Sequence, residues 1–421
     1  MPDRTVAPAI RQIEQVSIPQ AQSTHLDNGI PLFYVNAGKQ PVLRLEIIFK
    51  AGKLFEEYPG VSYLSGKMLT EGTAGHSASE VASFFDQLGA HIEVSPGFDK
   101  ITLSIHLLSR HLPDLMPMLK EIISQPVFPV SELENLKQRK RQQLLVDLQK
   151  NNYLAAQTFA NKIFGEQHPY GKILYPEAIE RVDVDMIANF YHSYMKQNYE
   201  ILVSGKVNEN HLQCINNVLG TDSWNCKELN NSSPTNKYVP SKTNQEIEGS
   251  LQSSIRIGMP FISREHPDFP GTLVVNEILG GYFGSRLMRN IREDKGYTYG
   301  IHSSISCLSK IGIWAVGTDV KKAVQQQTVT QVEKEIEILQ TDLVPDSELE
   351  TVKNYMLGTF VSSLDTPFAI ADKFKTIHYS GLGYEYFDDY LRTIRNIDSS
   401  SIRELSRQYL VRENMTTVVV G

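Results

Sequence analysis

Pro129-Val-Ser-Glu-Leu-Glu-Asn-Leu-Lys137 is written a second time, 216 residues on, as Pro345-Asp-Ser-Glu-Leu-Glu-Thr-Val-Lys353. Pro, Ser, Glu, Leu, Glu and Lys recur in register. Both copies place a serine three residues before a glutamate, the pattern in which the two side chains satisfy each other's free backbone N–H at a helix start. Ser131 and Ser347 are therefore expected to open helices. A second pair agrees with the first: Ile179-Glu-Arg-Val-Asp183, then Ile187 and Tyr194, matches Ile394-Arg-Asn-Ile-Asp398, then Ile402 and Tyr409, at an offset of 215. Each copy then runs through an asparagine (Asn198, Asn414) into an aliphatic strand ending in glycine (Gly205, Gly421). A weaker third pair sets Glu56-Glu-Tyr-Pro-Gly60 against His266-Pro-Asp-Phe-Pro-Gly271, at an offset of 211. Three ordered matches at nearly one offset make the chain a tandem duplication.

The boundary is expected where composition shifts. Residues 226–246, beginning Cys-Lys-Glu-Leu-Asn-Asn-Ser-Ser-Pro, are polar and rich in Asn, Ser and Pro, as linkers are. This divides the chain into an N-terminal domain, 1–225, and a C-terminal domain, 247–421. Within the first copy, Asn28-Gly29 between apolar runs signals a hairpin. Leu45, Ile47 and Phe49 alternate with Arg44, Glu46 and Lys50, which reads as a half-buried strand. Ser77-Ala-Ser-Glu80 opens a helix through Leu88, and Ile101, Leu103 and Ile105 alternate as a further strand. A long helix is expected from Ser131 to about Phe164, ended by the turn His168-Pro-Tyr-Gly171. The fold class is α+β: two homologous tandem domains, each a mainly antiparallel sheet covered by helices on one face.

Composition narrows the function. With 421 residues and a formal charge of −7, the chain lacks the cationic surface that nucleic acid or an anionic membrane demands. The one basic run, Lys137-Gln-Arg-Lys-Arg141, reads as the solvated face of a helix. Three cysteines (Cys214, Cys226, Cys307) form neither a disulfide framework nor a Cys-x-x-Cys site, which fits a reducing compartment. The N-terminus carries charge and prolines where a secretory signal places an apolar run. No stretch reaches the roughly 20 apolar residues that span a bilayer. These features predict a cytoplasmic protein, a trimmed leader aside.

Familiar catalytic motifs fail on inspection. Among the eleven histidines no pair has the spacing, with a glutamate between, that zinc sites on helices use; His106 and His111 are five apart. Gly60-Val-Ser-Tyr-Leu-Ser-Gly66-Lys67 resembles a phosphate loop. It has five residues between its glycines instead of four, and Met68 where Ser or Thr would hold magnesium. No Gly-x-Ser-x-Gly elbow or activated cysteine is present.

The same segment, continued as Gly60-Val-Ser-Tyr-Leu-Ser-Gly-Lys-Met-Leu-Thr-Glu-Gly-Thr73, resembles the signature helix of the pitrilysin (insulinase) family of zinc metallopeptidases, in its mitochondrial-processing-peptidase-like branch. Zinc-bearing members carry His-x-x-Glu-His between the same glycine and the same Met-Leu-x-x-Gly-Thr ending. The resemblance puts the first ligand position at Tyr63, the catalytic glutamate at Gly66 and the second ligand at Lys67. A third, acidic ligand position falls near Gln143 or Leu144. A phenol and an ammonium cannot replace neutral imidazoles at a tetrahedral zinc, and Gly66 offers no general base. No metal is therefore expected in this chain.

The likeness runs from Leu26-Asp-Asn-Gly29 through His168-Pro-Tyr-Gly171 to the last strand, and the family's duplicated, clam-shaped layout accounts for the repeat. Leu279-Gly-Gly-Tyr-Phe-Gly-Ser-Arg-Leu-Met-Arg-Asn-Ile-Arg-Glu-Asp-Lys-Gly-Tyr-Thr-Tyr299 is similar to the family's second signature, whose arginine and tyrosine assist the zinc half. Those positions hold Arg292 and Tyr299. By themselves they are unremarkable, since arginine suits a helix C-terminus and tyrosine suits strands. The resemblance implies the non-zinc subunit of a heterodimeric metalloendopeptidase, supplying Arg292 and Tyr299 in trans to a zinc-bearing sister subunit acting on peptides. The other reading is a catalytically inactive binding or assembly subunit, core-protein-like or presequence-binding-like; the short Gly280-Gly281 segment speaks against the latter form. The sequence leaves a homodimer of the isolated chain open.

Overall fold

A computed structural model describes residues 16–224, 237–308 and 311–421. The first half builds six strands: β1 (Gln22–His25), β2 (Pro31–Asn36), β3 (Val42–Phe49), β4 (His91–Pro96), β5 (Ile101–Leu108) and β6 (Tyr199–Gly205). They lie in the order β1-β2-β6-β3-β5-β4. The second half builds β7 (Lys242–Gln245), β8 (Gln252–Phe261), β9 (Thr298–Cys307), β10 (Gly312–Lys321) and β11 (Thr416–Val420), in the order β7-β11-β8-β10-β9. Stripped of β1, the two orders are the same. Each sheet contains one parallel pair, β2 with β6 and β7 with β11, and is otherwise antiparallel. The duplication is thus one of topology as well as sequence. β7 lies inside the segment expected to be a linker; the rest of that expectation, including Cys226, falls largely outside the described residues, as do residues 1–15.

Several local expectations are met. Asn28-Gly29 turns the β1–β2 hairpin. Ser77 and Glu80 form their reciprocal cap at the head of the helix Ala78–Gln87. His168 accepts a hydrogen bond at Nδ1 from the Tyr170 amide (3.1 Å) and is buried in a turn. Others are corrected. The helices at the repeated Pro-x-Ser-Glu segments start earlier, with Pro129 and Pro345 as N-caps and no side-chain cap, so Ser131 and Ser347 already lie in the first turn. Gly60 caps a helix, whereas Gly271 sits inside one (Phe269–Asn276), so the third sequence pair is not structurally equivalent. The long helix is two: Val130–Asp147 and Asn151–Phe164, broken at Leu148–Lys150.

That break has an architectural cause. The helix Asn151–Phe164 leaves the first half and packs against β8 and β11 of the second sheet. Ala155, Phe159 and Ile163 bury themselves there with Val418 and Val420. Its counterpart in the repeat, Pro367–His378, makes the reciprocal crossing onto β2 and β6 of the first sheet, where Ile370, Ala371 and Phe374 pack against Val35, Ile48 and Leu202. Each sheet is therefore covered by its own half's helices on one face and by one borrowed helix on the other.

The crossing overturns the half-exposed reading of β3. Arg44 and Glu46 are buried, because Pro367–His378 lies over them. Arg44 donates to Asp372 (2.8 Å) and to the Phe368 carbonyl (2.9 Å), and Lys375 donates to Glu46 (2.7 Å). On the neighbouring strand, His378 Nε2 lies 3.1 Å from Glu200 and Lys50 lies 3.3 Å from it. Arg44, Glu46 and Glu200 are buried, and such charges are tolerable only when paired in this way, here with groups at the rim of the interface.

The network carries a pH signature. Burial pushes the Asp372 and Glu200 carboxyls up, but donors from Arg44 and Lys375, and from His378 and Tyr379, hold both below the usual carboxylate range. A depressed folded-state pKa gives stability that is present above the unfolded value, near 4, and lost as pH falls from there through the lower folded-state value. Melting temperature should therefore drop as pH is lowered from about 5 to about 3. An Asp372→Asn, Glu200→Gln double variant should be less stable at neutral pH and show a flatter acid limb. An unchanged acid limb in that variant would refute the assignment.

Candidate functional site

The signature helix Val61–Met68 begins at Gly60, whose φ of 94° is open to glycine but costly for other residues. A Cβ at Gly60 would also stand 2.7 Å from Ile179 Cδ1. The helix end is satisfied by Glu56. Its buried carboxylate accepts from the Gly60 amide (3.1 Å), the Ser62 amide (3.4 Å) and the Ser62 hydroxyl (2.7 Å). Burial nevertheless raises the Glu56 pKa against these hydrogen bonds and the nearby Lys53.

The three signature positions lie on this helix as expected, and their chemistry differs from that of a metal centre. The Tyr63 ring carries the Lys140 ammonium 4.4 Å from its centroid. Lys67 Nζ donates to the Val94 carbonyl of β4 at 2.5 Å. Gly66 is packed so closely that a Cβ would sit 3.1 Å from both Pro96 Cγ and Ile101 Cγ2. Any side chain there would press on the Pro96 and Ile101 side chains, which would have to give way slightly. Of the two candidates for the acidic position, Gln143 points outward and donates to Asp147 (2.8 Å), while Leu144 is buried beside the signature helix. Among the described residues no group of three His, Cys, Asp or Glu side chains could hold a metal.

A cavity of about 310 Å³ opens in front of Tyr63 and Leu144. Phe98 and Tyr153 wall it, and Lys53, Lys140 and Lys172 reach it together with Glu56. The lysines were not singled out in the sequence. Lys140 belongs to the basic run that reads as a solvated face, but the helix divides that run. Arg139 and Arg141 face outward toward Glu71 and Glu180, while Lys137 and Lys140 share the inner side with Leu133, Leu136 and Leu144. The spacing 133, 136, 137, 140, 144 was the available signal.

The second signature is built differently. A helical segment ends in a π-helical turn, Met288–Asp294, and Lys295-Gly296 turns the chain into β9. Arg292 stacks its guanidinium 4.5 Å from the centre of the exposed Phe283 ring. Tyr299, the second residue of β9, is 96% exposed. Among the described residues neither side chain has an ion-pair or hydrogen-bond partner. β9 is the outermost strand of its sheet, so Tyr299 stands at a free edge. The neighbouring Arg286, by contrast, is tied down by a bidentate pair with Glu348 (2.9 and 2.8 Å).

Comparison with known proteins gives the family of the chain. Residues 33–174 match the family model described as insulinase (peptidase family M16), and residues 181–356 match the one described as the peptidase M16 inactive domain. A protein of Helicobacter pylori named as a non-peptidase homolog, YmxG, is 22% identical over 93% of this chain and 92% of its own length. The beta subunit of the mouse mitochondrial-processing peptidase is 22% identical over 83% of this chain and 74% of its own. The crystal structure of a peptidase M16 inactive domain from Pseudomonas fluorescens superposes with a TM-score of 0.84 at 23% identity, covering 95% of this chain and 98% of that one. The two family models follow one another along the chain, the second beginning within the first half, and each contains one of the signature segments; the chain therefore belongs to peptidase family M16, the insulinase or pitrilysin family.

Proposed function

We propose that this chain is the zinc-free half of a two-chain M16 endopeptidase of the cytoplasm, inactive alone, and that it lends Arg292 and Tyr299 to a zinc site held by a sister chain. One contrast carries the reading. At the first signature the ligand positions are filled by Tyr63 under Lys140, Gly66 against Pro96 and Lys67 on a backbone carbonyl. At the second, the arginine and tyrosine are kept and make no hydrogen bond or ion pair among the described residues, Arg292 only stacking on the exposed Phe283. Side chains without an internal duty are available for an external one. The free cysteines Cys214 and Cys307 fit a reducing compartment, and no helix among the described residues is long and apolar enough to cross a membrane.

In this assignment zinc, carried by the sister chain, supplies the activated water. The guanidinium of Arg292 and the phenol of Tyr299 hold the scissile carbonyl oxygen and the negative charge that develops on it. The substrate is an unfolded peptide segment enclosed between the chains, part of it added as a strand to a sheet edge of the zinc half. Identifying what co-purifies with the chain from its own cells comes first; a sister carrying His-x-x-Glu-His, with zinc, is expected. In the mixed complex Tyr299→Phe should lower kcat by about tenfold or more with little change in KM. Full activity of that variant, or a complex without any zinc-bearing sister, would turn the function toward a non-catalytic binding or assembly subunit. The naming of the Helicobacter pylori relative as a non-peptidase homolog favours that second reading.

A further inference from the structure

We infer that the cavity beside the signature helix is a binding site for the C-terminal carboxylate of a short peptide with an apolar last residue. The inference stands apart from the two-chain reading, because it concerns only groups within the first half of this chain.

Charge balance points to an anion. Lys53, Lys140 and Lys172 reach the cavity, and Glu56 is the one acid among its walls. Glu56 is spent on the Gly60 amide and Ser62 at the head of the signature helix. Lys140 and Lys172 have no carboxylate within ion-pair distance among the described residues. Lys53 holds the Lys172 carbonyl (2.9 Å), which fixes the loop but neutralises nothing. Burial lowers the pKa of both Lys140 and Lys53. Glu56 and Asp147 act on Lys53 and Lys140 only at a distance, without a direct ion pair. Desolvated ammonium groups so weakly compensated cost stability, and a bound carboxylate would offset that cost.

The walls decide what kind of anion fits. No arginine lines the cavity, and the Gly60 and Ser62 amides at the head of the signature helix are already taken by Glu56, so neither device that grips phosphate geometrically is free. Lysines act as point charges and suit a carboxylate equally well. Opposite them stand Tyr63, Phe98, Leu144 and Tyr153, an apolar and aromatic surface. The ligand is therefore amphipathic, with a charged end and an apolar body. A volume of about 310 Å³ lies at the bottom of the roughly 300–1,000 Å³ range of small-molecule sites, which suits a peptide end. Gln157, also in the wall, brings an amide that can donate to or accept from a peptide group.

The test uses the full chain and three probes in isothermal titration: N-acetyl-Gly-Phe as the free acid, its C-terminal amide, and inorganic phosphate. The free acid should bind at least tenfold more tightly than the amide. Phosphate should neither bind comparably nor displace the acid. Lys140→Met removes the ammonium over Tyr63 while keeping an unbranched side chain, and should weaken the acid at least tenfold with the folded circular dichroism spectrum retained. Lys172→Met, on a loop remote from the helix core, is the second variant should the first fail to fold. Equal binding of acid and amide, phosphate binding alone, or no binding of any probe would overturn the assignment.

Discussion

Replacing Ala371 by aspartate is expected to unfold both halves of the chain in one step, at a cost above about 4 kcal/mol. Ala371 is fully buried in the middle of the crossing helix Pro367–His378, against Val35, Ile48 and Leu202 of the first sheet. Asp372 is already paired with Arg44, and Glu46 and Glu200 lie on the strands beneath. A further carboxylate would have no counter-charge of its own and two like charges nearby, and an uncompensated buried charge costs several kcal/mol. Net stabilities are about 5–15 kcal/mol, so the loss is a large share of the total. Its reach follows from the crossing. The helix belongs to the second half by sequence and to the first sheet by packing, so its release strips apolar cover from one half and unanchors the other. Trp314 is buried in the second half's core, and Trp224 stacks edge-on against Tyr199 of the first, with ring centroids 4.7 Å apart. Single-tryptophan variants, Trp224→Phe and Trp314→Phe, let each half be followed alone in urea. The wild-type transitions should coincide, and Ala371→Asp should shift both together. A Trp314 transition displaced while Trp224 stays put would refute the coupling. Ala155, at the repeat-related position in the other crossing helix, should behave alike.

The crossing marks where the sequence stopped being legible. Alternation along β3 correctly marks a strand, because period two is a local property. The same alternation puts Arg44 and Glu46 on a face read as open to water, and that is wrong for a reason no window contains: their partners Asp372 and Lys375 lie 328 and 329 residues away. The duplicated segments had the same character. Their recurrence established two equivalent halves, and the two sheets share their strand order. Nothing in the recurrence says that the helices following them are exchanged. The break at Leu148–Lys150 carries neither Gly nor Pro, so the turn that permits the exchange left no mark. At the site, Tyr63, Gly66 and Lys67 fall on one helix as the resemblance implied. Lys140, which lies over Tyr63, was hidden inside a run whose composition reads as surface, although its spacing of three and four does not. Lys53 and Lys172 reach the cavity from connecting segments that no pattern marks.

The second large effect is expected at Arg292, where substitution by alanine should lower kcat/KM of the mixed, zinc-bearing complex by about 10²–10³-fold while leaving the chain's own stability within about 0.5 kcal/mol. The two halves of that statement rest on different observations. Stability is spared because the guanidinium makes no ion pair among the described residues and leans on Phe283, a ring that is itself 64% exposed. Activity is lost, under the proposed function, because a fixed cation near a developing oxyanion acts in a site closed to water, where one such donor is worth about 3–4 kcal/mol. Arg292→Lys discriminates further. An ammonium keeps the charge but neither the planar fork nor the stacking on Phe283, so it should recover only part of the rate. Phe283→Ala should act in the same direction and more weakly, since it frees the guanidinium without removing it. A pattern in which Arg292→Ala destabilises the isolated chain and Arg292→Lys rescues it would make the residue structural. A pattern in which all three variants leave the complex at full rate would remove this signature from the chemistry, and with it the reason to place the chain in a peptidase.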